Sequence, residues 1–291
     1  MPIAQLSGIA NMVQLTIVAA ERVFELLDEP EESADAADAA VIADPRGAVT
    51  FDQVHFRYKP DVPVIAGLSL DVAPGQTIAI VGPTGAGKTT IVNLLMRFYD
   101  VDTGAIRVDG VDIRSMRRGD LRRLFGMVLQ DTWLFSGTIR ENIAYGHAGA
   151  TSSSVEEAAQ AAQASHFIHT LPDGYETLVN EEASNLSQGQ KQLLTIARAF
   201  IADPAILILD EATSSVDTRT EVLIQEAMHR LMRGRTTFVI AHRLSTIRNA
   251  DVILMLDAGR IVERGTHNDL LTANGPYAAL YESQFASKAS A

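Results

Sequence analysis

Cysteine is absent from the 291 residues, so neither disulfides nor thiol chemistry can contribute, and a reducing cytoplasm is compatible with the chain. Lysine is scarce as well, with only Lys59, Lys88, Lys191 and Lys288 among 24 basic side chains. The formal net charge of -12 argues against nucleic acid as a main partner. No apolar run approaches the ~20 residues needed to span a bilayer, and the N-terminus lacks the basic start and compact apolar centre of a secretory signal. What is present is apolar material: 47% of the residues, enough for a real core in one large or two modest domains.

The N-terminal stretch has a helical signature. Leu6, Ile9, Val13, Ile17, Ala20, Phe24 and Leu27 step by three or four, Glu21, Arg22 and Glu25 mark the wet side, and Pro30 stops the pattern. Such a helix either packs on its own domain or is the cytoplasmic end of a longer helix whose membrane part is not in this chain. Residues 1–28 are expected to be the latter. Residues 29–46, rich in Ala, Asp and Glu, suit a solvated acidic linker, and 286–291 form a short tail.

Between them, 47–285 reads as one α/β domain. Residues 49–58, 68–72 and 106–113 look like short strands around Pro/Gly turns, a small antiparallel layer. From about 131 to 193 the pattern turns helical and polar. Apolar strand-like runs return at 205–209, 236–241 and 251–256, the last facing 260–263 across Asp257-Ala258-Gly259 as a hairpin. Buried strands alternating with helices imply a mostly parallel sheet.

Within that frame lies Gly82-Pro83-Thr84-Gly85-Ala86-Gly87-Lys88-Thr89, a phosphate loop of the form Gly, four residues, then Gly-Lys-Ser/Thr. The β-branched run Thr77-Ile78-Ala79-Ile80-Val81 precedes it and a helical opening at Thr90 follows. Such a strand–turn–helix aims backbone N–H groups and a positive helix end at a phosphate. Lys88 can reach the β- and γ-phosphates, and the Thr89 hydroxyl can ligate Mg2+.

Four further features carry chemistry. The apolar run 205–209 ends in Asp210-Glu211, placing Asp210 to hold Mg2+ and Glu211 to act as general base. Gln130 closes the run 126–129 and can bond both the metal and the attacking water. His242 alone of the seven histidines ends a strongly apolar strand and can donate to a γ-phosphate, whereas His55, His147, His166, His169, His229 and His267 read as structural or solvated. Tyr58 follows a strand upstream of the loop and can stack on adenine. For each of these the plain alternative is a strand-end, surface or core residue without chemistry.

In order and spacing these motifs resemble the ATP-binding cassette of ABC transporters across nearly all of residues 49–281. The resemblance implies the ABC ATPase fold: a P-loop NTPase core, an antiparallel β layer and an inserted helical subdomain at about 131–193. It implies ATP and Mg2+ as cofactors, Tyr58 on adenine, Gly82 to Thr89 with Thr90 around the phosphates, and Thr89, Gln130 and Asp210 near the metal. Glu211, His242, Gln130 and Lys88 become the catalytic group. Ser214-Ser215-Val216-Asp217 resembles the D-loop, and Leu186-Ser187-Gln188-Gly189-Gln190 the signature sequence, with Gln188 where many members have glycine. In the family the signature caps the γ-phosphate bound by a second nucleotide domain. The implied partners are therefore such a domain, identical or different, and a membrane domain not in this chain, with no nucleic acid. The implied location is the cytoplasmic face of a membrane, the inner membrane if the source is bacterial.

Residues 21–28 and 177–181 resemble the exporter branch, although Asn180 and Ala183 stand where glycines are usual and Glu182 adds charge. The arginines 114, 117, 118, 122 and 123 have two readings, a solvated helix face or a contact with lipid headgroups or a membrane-domain loop. Two rival functions are weaker. A nucleotide-gated module without hydrolysis tends to lose the residues at Glu211 or His242. DNA-repair relatives separate the phosphate loop and signature by a long coiled coil, where this chain has only about a hundred residues.

Overall fold

The computed structural model describes the chain apart from residues 1, 30, 33, 36, 130–131, 182, 211–215, 242–243 and 285–291. Two compact units emerge, residues 1–35 and 36–291. The first is built on one 26-residue helix, α1 (Pro2–Leu27). Of the expected stripe, Ile9, Val13, Ile17, Phe24 and Leu27 are exposed, and so are Met12, Leu15, Val18, Val23 and Leu26 between its members, so α1 is apolar on more than one side. No described helix is long and apolar enough to cross a membrane.

The second unit opens where Asp109 accepts from the backbone N–H groups of Arg46, Gly47 and Ala48 at 2.8, 3.1 and 2.8 Å. Strands β1 (Val49–Lys59) and β2 (Val62–Val72) form a long antiparallel hairpin. Val49 and Phe51 point inward, then a register shift between Phe51 and Val54 restores Val54 and Phe56 to the buried side. β2 starts earlier than the expected 68–72, because Pro63 near its start and Gly67 at φ +76° disguise the strand pattern. β3 (Thr77–Val81) is buried from Ile78 onward and runs through the glycine loop into α2 (Lys88–Leu95). β4 (Thr103–Val108) pairs with the free edge of β1, and β5 (Val111–Asp112) extends that layer to the order β2-β1-β4-β5. The strand expected over 106–113 is instead broken at Asp109-Gly110, with φ +48° and +82°.

The arginine cluster divides: Arg114, Arg117 and Arg123 are exposed, whereas Arg118 is buried and Arg122 half-buried. Arg114 grips Asp112 with two hydrogen bonds, and Arg123 pairs with Asp120. Arg122 donates to the Met96 and Arg97 carbonyls, and Arg118 is buried beside Asp100. Arg118 and Arg122 thus fasten α3 (Arg118–Arg123) to the segment that ends α2, while Arg117 is exposed.

After β6 (Phe125–Val128) comes the helical segment: β7 (Gly137–Thr138), α4 (Ile139–Ala144), α5 (Ser152–Ala161), α6 (Ser165–Thr170) and β8 (Leu178–Val179). Capping boxes at Thr138/Glu141 and Thr151/Ser154 start α4 and α5. β7 pairs with β8, so the segment closes on itself before α7 (Gln188–Ala202). Alternation resumes with β9 (Ile206–Asp210), α8 (Thr218–Met232), β10 (Thr236–Ile240), α9 (Leu244–Asn249) and β11 (Val252–Asp257). β12 (Arg260–Gly265), α10 (His267–Ala273) and α11 (Pro276–Gln284) end the described chain.

The central sheet has the order β12-β11-β3-β10-β9-β6, parallel except for the edge strand β12. Alternate side chains serve opposite faces. Ile78, Ile80, Ile206, Ile208 and Phe238 join the core shared with the antiparallel layer. Ala79, Val81, Leu207, Leu209 and Val239 join the core shared with α4, α5, α7 and α8. The expected α/β class, with its parallel sheet, antiparallel layer and helical segment, is the architecture found. Its neighbouring strands β3, β10 and β9 all end at one edge, where ligands bind in open α/β sheets.

Candidate functional site

The loop after β3 is held from below. Gly82 sits at φ +149°, and a Cβ there would meet the Leu256 carbonyl oxygen at 2.2 Å. Gly87 serves as N-cap of α2 at φ 102°, with no side-chain cap on the helix. The first N–H groups of α2 therefore open into the loop's concavity, a ready anion site. Pro83, Thr84, Gly85 and Thr89 are exposed, while Ala86 and Thr90 are buried. Thr90 lies under Tyr58 rather than at the loop surface, its hydroxyl receiving a 3.3 Å hydrogen bond from the Tyr58 hydroxyl. Asn93 donates to the same phenol at 3.2 Å. Edge-on packing against Phe56 and Tyr99 then fixes the Tyr58 ring, which stays 46% exposed.

Lys88 crosses the mouth of the loop, donating to the Gly82 and Pro83 carbonyls at 2.8 and 2.9 Å. Partial burial pulls its pKa below the ordinary lysine value, and the negative charge of Asp210 works in the opposite direction. Asp210, half-buried at the end of β9, is thus electrostatically linked to the loop across the sheet edge. Gln130, Glu211, Ser214, Ser215 and His242 lie outside the described residues.

The signature stretch forms the start of α7. Leu186 is buried, and Ser187 caps the helix by accepting from Gln190 N–H at 3.2 Å. The Gln190 side-chain oxygen returns the favour to Ser187 N–H at 2.9 Å, completing a capping box. Ser187 uses a lone pair in this bond and keeps its own O–H to donate. Gly189 is pressed against the start of α8: a Cβ would meet Thr220 Cγ2 at 2.3 Å and Val216 Cγ1 at 3.0 Å. Asp217 caps α8, and its hydrogen bonds from Thr220 hold its carboxyl below the usual carboxylate range. Among the described residues no hydrogen bond joins 186–190 to 82–89.

A model of the ABC transporter family matches residues 65–214, just over half the chain. The chain belongs to the ABC transporter family. It is similar to a fatty acid ABC transporter ATP-binding/permease protein of Mycobacterium tuberculosis, 58% identical over 277 residues, covering 95% of this chain and 44% of that protein. An ATP-dependent lipid A-core flippase of Saccharophagus degradans is 48% identical, with 98% of this chain and 48% of the flippase covered. Among solved structures, a bacterial Atm1-family ABC exporter with ATP bound matches at TM-score 0.83 and 46% identity, over 94% of this chain and 48% of that one. The chain thus spans about half the length of the curated relatives it matches. Its fold is the ABC ATPase fold, and it is an ATP-binding ATPase domain of the kind found in exporters.

Two parts of this ABC domain escaped sequence reasoning. A cavity of about 90 Å3 beside the loop is lined by Gly82, Pro83, Thr84 and Lys88 and, from the far end of the chain, by Tyr277, Leu280 and Tyr281. His267 accompanies this wall: it is buried, and its Nδ1 lies 2.6 Å from the Tyr277 hydroxyl. The other part is a surface group of Trp133, Phe135 and Tyr145 around the Arg198 guanidinium, which lies 5.6 to 5.9 Å from the three ring centres. Trp133 and Tyr145 are mostly exposed. No local pattern marks either group, since Arg198 stands more than fifty residues from its three aromatic partners and Tyr277 nearly two hundred from Gly82. In the loop expected to couple to a membrane domain, Ala183 adopts φ +49°, a conformation natural to glycine, while Asn180 holds Ser184 through two hydrogen bonds.

Proposed function

We propose that the chain is the nucleotide-binding motor of an ABC exporter, in which ATP binding joins two such domains and Mg2+-dependent hydrolysis drives substrate through a membrane domain. The observation that carries this reading is the separation of two half-sites for one phosphate. The uncapped start of α2 with Lys88 is one half, and the Ser187 hydroxyl at the start of α7 is the other. With no hydrogen bond between them in one chain, a second domain supplies the missing half. The partner domain is identical or similar, and the assembly works at the cytoplasmic face of a membrane.

In this reading residues 47–285 are the nucleotide-binding domain, with 131–193 as its helical subdomain, 29–46 as linker and 1–28 as the end of a membrane helix. Tyr58 stacks on adenine, and residues 82–90 wrap the phosphates, the buried Thr90 through its backbone N–H alone. Lys88 neutralises charge building on the γ-phosphate oxygens. Glu211 takes the proton of the attacking water, Gln130 orients that water, and His242 donates to the γ-phosphate. Ser187 and Gly189, framed by Leu186, Gln188 and Gln190, serve the partner's nucleotide, and Asp217 lines the same interface.

The residues present suit Mg2+. Thr89 offers an exposed hydroxyl and Asp210 a half-buried carboxylate, both hard oxygen donors. Among the described residues no three acidic or imidazole groups cluster as a complete cage. In this reading phosphate oxygens, water and the Gln130 amide would complete the coordination of the ion. When bound, the ion neutralises phosphate charge. Replacing Glu211 with Gln should keep ATP binding and abolish turnover; hydrolysis at the parental rate would remove Glu211 from this role.

A further inference from the structure

Gln188 is the residue at which this chain departs from the glycine common in signature sequences, and the structure gives its side chain a partner. Its Nε2 donates to Thr132 Oγ1 at 3.1 Å. Both residues are half-buried, so the bond is partly shielded from water. Thr132 follows Gln130 by two positions in the chain, in the segment between β6 and β7. Gln188 is the first residue of α7 and directly follows Ser187.

On its other flank the same first turn of α7 has no slack. Gly189 abuts Thr220 and Val216 so closely that a methyl group would not fit. The capping box of Ser187 and Gln190 then makes the turn one rigid piece. A shift of the Thr132 segment is therefore transmitted to Ser187 instead of being absorbed locally.

We propose that Gln188 is a positioning residue: with Thr132 it forms a strut that ties the Gln130 segment of a chain to the Ser187 hydroxyl of the same chain. This inference rests on the two-domain reading above. In that assembly Gln130 serves the chain's own nucleotide and Ser187 serves the partner's, so the strut connects the two ATP sites within each chain. A glycine at 188 has no side chain with which to make the connection.

The test uses the 291-residue chain carrying Glu211→Gln, with Gln188→Gly, Thr132→Val, both together, and Thr132→Ser. The ATP concentration that produces dimer is measured by light scattering. A neutral hydrogen bond corresponds to about a five-fold change in an equilibrium constant. The strut is already made in the single chain, so its loss acts through the placement of Ser187. With one strut per chain, each of the first two variants is expected to weaken ATP-driven dimerisation measurably, by at most about twenty-five-fold. The double variant should be no worse than either single one, and Thr132→Ser should behave like the parent. Thr132→Val should leave ATP affinity of the monomer unchanged, which a merely structural loss would not. Additive effects, or a Gln188→Gly chain that dimerises like the parent, would overturn the strut.

Hydrogen exchange on the monomer separates this inference from the dimer reading. Gln188→Gly should speed amide exchange in 132–136, and Thr132→Val should speed it in 187–191, whether or not the chain dimerises. Unchanged exchange in both segments overturns the strut. A parent that never dimerises while exchange responds as expected counts against the two-domain reading alone.

Discussion

Gly259 donates its backbone N–H to the Ala86 carbonyl at 3.2 Å, and its own carbonyl accepts from Ala66 N–H at 3.0 Å. The turn between β11 and β12 is thereby wedged between the phosphate loop and β2. At Gly259, φ is +76° and a Cβ would meet the Val64 carbonyl oxygen at 2.1 Å. Gly259→Ala should cost about 1–3 kcal/mol through backbone strain, before any clash is counted. Calorimetry should show a lower Tm, and ATP titration a weaker affinity, because the loop loses its support. An unchanged ATP affinity would separate the turn from the site.

Ser187 has two duties that can be told apart. As a helix cap it contributes about 1 kcal/mol, the usual loss on replacement by Ala. In the proposed assembly it also donates to the partner's phosphate, a role that matters far more to turnover. Ser187→Ala should lower stability modestly in denaturant titration, while hydrolysis falls at least tenfold. A loss of rate no larger than the stability change implies would confine Ser187 to capping.

Gly189 and Thr220 form a packing pair whose defect should be repairable. Gly189→Ala drives a methyl into Thr220 Cγ2, and overpacking of this kind costs about 1–3 kcal/mol. Adding Thr220→Ser removes that methyl and should recover much of the loss, with Val216 accounting for the remainder. A double variant no better than the single one would show that the contact is not what excludes a side chain.

The Tyr277–His267 pair predicts stability limits at both ends of the pH scale. Burial pushes the Tyr277 phenol up from 10.0 to about 12, so the folded state favours its neutral form. Stability from this group is full below pH 10 and is lost between pH 10 and about 12. Burial, aided by the Arg248 charge, pulls His267 below its ordinary 6.5, so the folded state also favours neutral imidazole. That contribution is full above pH 6.5 and is lost as pH falls through the depressed value. Denaturant midpoints across pH should show both limbs. Tyr277→Phe should flatten the alkaline one and His267→Gln the acid one.

How much of this could be read from the sequence depends on distance along the chain. The phosphate loop, the Asp210 strand end and the signature were legible because each is a local pattern of backbone need and side-chain type. The central strands were legible because they are buried on both faces and read as apolar runs. The first half of β2 was not, since Pro63 and Gly67 look like a loop when the pairing with β1 is unknown. Arg118 looked like a surface residue, because nothing local announces the Asp100 carboxylate and the α2 terminus that enclose it. Tyr277 and Tyr281 were invisible as neighbours of the loop for the same reason: α11 reaches Gly82 only through the sheet's topology.

Whether one phosphate is held by two chains is decided by light scattering on the Glu211→Gln chain with and without ATP and Mg2+. The expected result is an ATP-dependent shift from monomer to dimer that Ser187→Ala abolishes. A Glu211→Gln chain that binds ATP and dimerises equally well with Ala at position 187 would contradict it.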